Sequence, residues 1–165
     1  MVIALFSREI NDSTKNVINS FFSSEHAKQS KFFIEKNILE DLEIIDNLNL
    51  IPFETFNDLD SSIDIMVSIG GDGTFLRCIE FIRELDIPVM GINTGNLGFL
   101  ATSKKEDIND SISKIFHKDF NVENRTLIKV NSNEIGINDS VFPYALNEVS
   151  VVRKDTTSMI NIKTS

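Results

Sequence analysis

The stretch Ser68-Ile69-Gly70-Gly71-Asp72-Gly73-Thr74-Phe75-Leu76-Arg77 puts three glycines and an aspartate between an apolar run and an amphipathic pattern. These residues are poor core material and good site material. Glycine lets a ligand or a second backbone approach closely, and the start of a helix offers unpaired N–H groups to an anion. Asp72 in such a turn would accept a proton from a hydroxyl that attacks phosphorus, or carry Mg²⁺ toward phosphates. Thr74 would cap the helix or bond to phosphate. Arg77, one turn on, would neutralise phosphate charge or stand solvated on the helix. The turn lacks the Gly-Lys-Ser/Thr of a P-loop, and Gly70, Gly71 and Gly73 do not have the Gly-x-Gly-x-x-Gly spacing of a dinucleotide turn. The structural alternative is a tight strand-to-helix turn with no ligand.

Two more polar points stand out. Asn93-Thr94-Gly95-Asn96-Leu97-Gly98-Phe99-Leu100 is a second glycine-bearing loop, and Asn147-Glu148 pairs a donor–acceptor amide with a carboxylate. Such a pair reads the edge of a base or the hydroxyls of a ribose, or is simply an outward-facing strand residue and its neighbour. His26 and His117 have no partners that would make a Ser–His–Asp or Cys–His arrangement.

These points need elements to hold them. The mostly apolar residues 63–69 predict an interior parallel strand. Phe75, Ile79, Ile82 and Leu85 predict a helix that stops before Pro88, and Val89-Met90-Gly91-Ile92 predicts the next strand. Strand, turn, helix and strand make a right-handed βαβ unit. The loop at residues 93–100 then lies at the same sheet edge as Asp72, where open parallel sheets bind ligands. Upstream, residues 2–6 predict a strand. A helix comes next over about 13–28, with Asn11, Asp12 or Ser13 as its cap. Residues 31–35 predict a second strand and 38–45 a short helix, while Pro52 and the polar residues 57–62 separate these from the central unit. Ser103-Lys104-Lys105-Glu106 fits a capping box ahead of a helix carrying Ile108, Ile112, Ile115 and Phe116.

Past residue 120 the pattern changes. Residues 125–130 alternate in part, 132–134 suggest a turn with 135–137 pairing back, and 144–152 and 159–164 suggest further strands. Strands in succession predict a β-rich second domain, and three or four of them enclose too little core, so we expect the front part of a longer protein. Composition is that of a folded domain, 41% hydrophobic and 25% charged. The net charge of −9 (16 basic minus 25 acidic) disfavours nonspecific nucleic-acid binding. No apolar stretch approaches the roughly 20 residues of a membrane span. The apolar start lacks the basic region of a signal peptide. The single Cys78 provides neither an internal disulfide nor a cysteine-cluster zinc site. We therefore expect a cytoplasmic protein.

Gly70-Gly71-Asp72-Gly73-Thr74 resembles the signature of the NAD kinase family, a short motif shared with diacylglycerol and sphingosine kinases. Gly91-Ile92-Asn93-Thr94-Gly95-Asn96-Leu97-Gly98-Phe99-Leu100 resembles that family's glycine loop nearly residue for residue. Arg125-Thr126-Leu127 resembles the start of its second domain, and Ala145-Leu146-Asn147-Glu148-Val149 its Asn-Glu motif. The resemblance implies an α/β fold: a Rossmann-like parallel-sheet domain over residues 1–120, and the start of an all-β dinucleotide-binding domain over 121–165. It implies transfer of the γ-phosphoryl group of ATP, or in some members polyphosphate, to the 2′-hydroxyl of the adenosine ribose of NAD. Asp72 would be the catalytic base or would orient that hydroxyl. Gly73 would lie against the NAD, Phe99 would border its adenine side, and Asn147 and Glu148 would bond its ribose hydroxyls. Ser158 would line the same site. Mg²⁺ would bridge the substrate phosphates, and the full protein would be a homo-dimer or homo-tetramer. Residues 1–165 alone would be inactive. The alternatives are a lipid kinase of the same superfamily and a noncatalytic NAD(P)-sensing module.

Overall fold

The computed structural model describes residues 1–42, 47–95, 98–101, 103, 107–130, 142–150, 152, 159 and 163. Two compact units divide the chain, residues 1–123 and 124–165. The first is built on five parallel strands: β1 (Val2–Phe6), β2 (Lys31–Glu35), β3 (Asn49–Phe53), β4 (Ile65–Ile69) and β5 (Val89–Ile92). They lie in the order β3-β2-β1-β4-β5. The helices are α1 (Asp12–Phe22), α2 (Lys36–Asp41), α3 (Asp72–Ile82) and α4 (Ile108–Phe116).

Alternate residues of a strand point to opposite faces, and both faces here are covered. Ile3, Leu5, Val67 and Ile69 pack with Val17, Ile18 and Phe21 of α1 and Ile112 and Ile115 of α4. Ala4, Phe6 and Met66 pack instead with Cys78 of α3 and with Phe53 and Ile87. β4 is buried at every position, which is why its sequence is apolar rather than alternating. The strand order reverses between β1 and β4, which pair with Ile3 opposite Ile65 and Phe6 opposite Ser68. That crevice, at the carboxyl ends of the strands, is where open parallel sheets hold ligands.

Four expectations need correction. Pro52 is not a separator. It lies inside β3, paired with Ile34, and β3 is the sheet edge, where a residue without an N–H costs no ladder bond. α1 ends at Phe22, six residues early, because its apolar spacing runs out there and the chain turns back through a 3-10 turn (Ala27–Gln29) to begin β2. α2 begins earlier than expected, at Lys36, where the Glu35 side chain accepts the N–H groups of Asn37 and Ile38. Ser103 does not cap α4. Its N–H donates to the Gly91 carbonyl and its own carbonyl accepts from Asn93, so it extends the edge of β5, and α4 begins after Asp107.

The second unit holds one described pairing, antiparallel between β6 (Ile128–Lys129) and β7 (Tyr144–Ala145). Among the described residues of the strand expected over 144–152, only the first two are in a strand. The turn expected at 132–134 and the pairing at 135–137 lie outside the described residues, as does nearly all of the strand expected over 159–164.

Candidate functional site

The turn after β4 is shaped by its first two glycines. Gly70 has φ +147, and a Cβ there would meet the Thr74 hydroxyl oxygen at 2.5 Å, so no other residue fits without strain. The Gly70 N–H donates to the Ile92 carbonyl at 2.9 Å, tying the turn to the end of β5. Gly71 is the N-cap of α3. Its carbonyl accepts from Thr74 N–H at 3.0 Å and Phe75 N–H at 3.2 Å. Thr74 is therefore not the cap. It is buried in the first turn, against Gly70.

Asp72 is the first residue of α3, where a negative charge suits the helix dipole. Its Oδ2 accepts the Phe99 N–H at 2.8 Å, and its Oδ1 accepts the N–H groups of Leu100 at 3.0 Å and Ala101 at 3.1 Å. The carboxylate thus clasps the far end of the second glycine loop. Those bonds, Phe99's foremost, then Ala101's and Leu100's, hold its carboxyl below the ordinary aspartate value. The fit requires glycine at position 98, because a Cβ there would fall on the Asp72 carboxylate. The near end of the loop is folded by Asn93, whose buried side chain accepts the Gly95 N–H at 2.8 Å. Phe99 is 96% exposed.

Gly73 follows Asp72 in α3, and Arg77 lies one turn further on. With Arg8, Leu76 and Glu80 they line a cavity of about 450 Å³. Arg77 pairs with Glu80 three residues on. Sequence reasoning passed over Arg8. The available signal was a basic residue just after the first strand, and only the strand order carries that position to the turn after β4. A larger cleft of about 620 Å³ lies between α1 and α4, walled by Asn16, Asn19, His26, Ser113 and His117. It holds none of the residues singled out from the sequence, and its size alone does not make it the site.

Asn147 and Glu148 are exposed just after β7, within the second unit. Ser158 lies outside the described residues. The structure thus brings Asp72 together with the backbone of 99–101, and Gly73 with Arg77 and Arg8. Among the described residues no three His, Cys, Asp or Glu side chains form a group that would hold a metal ion, and no helix is long and apolar enough to cross a membrane.

Residues 10–120 match the family model of the ATP-NAD kinase N-terminal domain. The chain is 46% identical over 138 residues to an NAD kinase of Christiangramia forsetii, covering 79% of this chain and 47% of that protein. It is 38% identical over 170 residues to an NAD kinase of Flavobacterium psychrophilum, covering 99% and 56%. The chain therefore spans about half the length of the curated relatives it matches. Its fold resembles that in a crystal structure of yeast NADH kinase complexed with NADH, with a TM-score of 0.63 and 19% identity over 81% of this chain and 44% of the other.

Proposed function

The chain belongs to the ATP-NAD kinase family, and from that premise we propose that the protein transfers the γ-phosphoryl group of ATP to the 2′-hydroxyl of the adenosine ribose of NAD, making NADP. The relatives' names favour this acceptor over the lipid of a diacylglycerol- or sphingosine-type kinase, and catalysis over nucleotide sensing.

The observation that carries the reading is the Asp72 clasp. A carboxylate has about four acceptor positions. Two N–H groups fill Oδ1 and one occupies Oδ2, so one position on Oδ2 remains for a substrate hydroxyl. The 2′-oxygen attacks the γ-phosphorus as the bond to the β–γ bridging oxygen breaks. ADP leaves with that electron pair, and the hydroxyl proton passes to Asp72. A carboxylate held below its ordinary value is a weak base. In a loose transition state the hydroxyl becomes acidic late, so Asp72 works chiefly by orienting the nucleophile.

In the same reading Gly73 lies against the dinucleotide and Phe99, exposed beside the clasp, borders the adenine. Asn147 and Glu148 bond the ribose hydroxyls, Ser158 lines the pocket, and Arg77 faces phosphate. Mg²⁺ would be held mainly by the substrate phosphates, as suits a cation that keeps several waters, and would neutralise their charge. Residues 1–120 supply the turn and 121–165 begin the dinucleotide-binding part of a cytoplasmic homo-dimer or homo-tetramer.

The test is NADP formation from NAD, ATP and Mg²⁺ by the full-length protein, with Asp72→Asn run beside it. We expect turnover in the wild type and a loss of about 100-fold or more in the variant with NAD still bound. No NADP from the wild type overturns the reading. Full activity in Asp72→Asn removes Asp72 from the mechanism.

A further inference from the structure

The geometry points to Arg8 as a second basic residue that binds the phosphate chain of the phosphoryl donor, in the cavity it shares with Gly73 and Arg77. The inference rests on the proposed phosphoryl transfer and adds to it a residue.

Arg8 comes just after β1, and Gly70–Gly73 come just after β4. These two strands are neighbours although 58 residues lie between Phe6 and Ile65 (65 − 6 − 1), and the strand order reverses between them. Arg8 therefore stands at the topological switch point, where the loops after adjacent strands part and leave a crevice. Its position is held from below. The buried Ser7 hydroxyl lies 2.7 Å from the Ile69 carbonyl at the end of β4 and 2.8 Å from the Glu9 carbonyl, and the Thr14 hydroxyl donates to Glu9 at 2.9 Å. The Arg8 Nη1 is 3.6 Å from where a Cβ of Gly73 would stand.

The charges suit an extended anion. The N–H groups of Asp72 and Gly73 open α3 and have no acceptor a turn back within the helix. Arg8 and Arg77 flank them around about 450 Å³, within the roughly 300–1,000 Å³ of small-molecule sites. Glu80 lines the same cavity and pairs with Arg77. Arg8 has no ion-pair or hydrogen-bond partner among the described residues, so its guanidinium is available to fork onto phosphate oxygens. The Asp72 carboxylate is not part of the cavity's lining and bonds the backbone of residues 99–101. The start of α3 thus offers a carboxylate for the attacking hydroxyl and, in the cavity beside it, basic groups for the donor's phosphates. The γ-phosphorus sits between them.

Full-length wild type, Arg8→Ala and Arg8→Lys are compared in two assays. In the first, NADP formation is measured with ATP varied at saturating NAD and with NAD varied at saturating ATP. Arg8→Ala should raise the KM for ATP about tenfold or more, the weight of a charge-assisted hydrogen bond, and leave the KM for NAD within about twofold. Arg8→Lys should fall between, keeping the charge and losing the fork. With long-chain polyphosphate as the varied donor, turnover tells which compound supplies the chain, and Arg8→Ala should penalise whichever is used. An unchanged donor KM, or a KM for NAD that rises equally, overturns the assignment. In the second assay inorganic tripolyphosphate is titrated calorimetrically into each protein. Binding weakened about tenfold by Arg8→Ala supports it, and binding that is absent or equal in all three overturns it. If the wild type makes no NADP the proposed reaction fails, yet this second assay still decides the cavity.

Discussion

At the scale of single residues, the bond between Asp72 and the backbone of 99–101 decides most. It explains why Gly98 cannot carry a side chain, and it sets two expectations. Gly98→Ala pushes the carboxylate or the loop aside, so NADP formation should fall about tenfold or more while the far-ultraviolet spectrum stays native. A variant as active as wild type would show that the clasp is not used. The second concerns pH. A carboxyl held below its unfolded value adds stability above that value and loses it as pH falls through the native one. The clasp is therefore whole at neutral pH. In an amide-resolved titration, the signals of Phe99, Leu100 and Ala101 should move together with a midpoint below the ordinary aspartate value. A shared midpoint near neutrality would contradict the bonding described.

At the scale of elements, the ends of β1 and β4 are stitched by the Ser7 hydroxyl on the Ile69 carbonyl. Ser7→Ala leaves a buried carbonyl short of a donor and should cost about 1–3 kcal/mol in denaturant unfolding. A change within error would mean the neighbouring ladder bonds suffice. α3 presses Cys78 into the layer with Ala4, Phe6 and Met66, and burial pushes its thiol up to about 12. Cys78 should then resist a thiol reagent at pH 8 in the native protein and react on unfolding. Fast labelling in the native state would show that α3 lifts from the sheet.

At the scale of the whole molecule, every buried hydrophobic residue identified lies between Ile3 and Ile115, inside the first unit. Residues 1–123 should accordingly fold alone, with a cooperative thermal transition seen equally by circular dichroism and calorimetry. A broad, uncooperative loss of signal would show that this unit needs the C-terminal part of the chain. Within it, Leu5→Ala empties one layer of the sheet and should cost roughly 2–5 kcal/mol.

The sequence alone was enough for the parallel sheet and for the two loops at one edge. A strand buried on both faces must be apolar throughout, and a turn that needs φ +147 must be glycine, so β4 and Gly70 are legible without any fold. β1 and β2 were readable from their buried apolar runs, and β5 from the apolar residues after Pro88. β3 was not, because Pro52 marks a break anywhere but at a sheet edge, and edge position is a property of strand order. Ser103 likewise carries the mark of a helix cap, and only the unpaired end of β5 beside it turns its backbone into the sheet. What tertiary structure alone decided is who meets whom. A carboxylate type is local information, but the three N–H groups that hold Asp72 come from 27 to 29 residues away. Arg8 reaches the same turn only because β1 and β4 lie side by side. Spacing along a chain records the short-range constraints of helices, strands and turns; contacts across a sheet depend on strand order, which single-strand patterns do not encode.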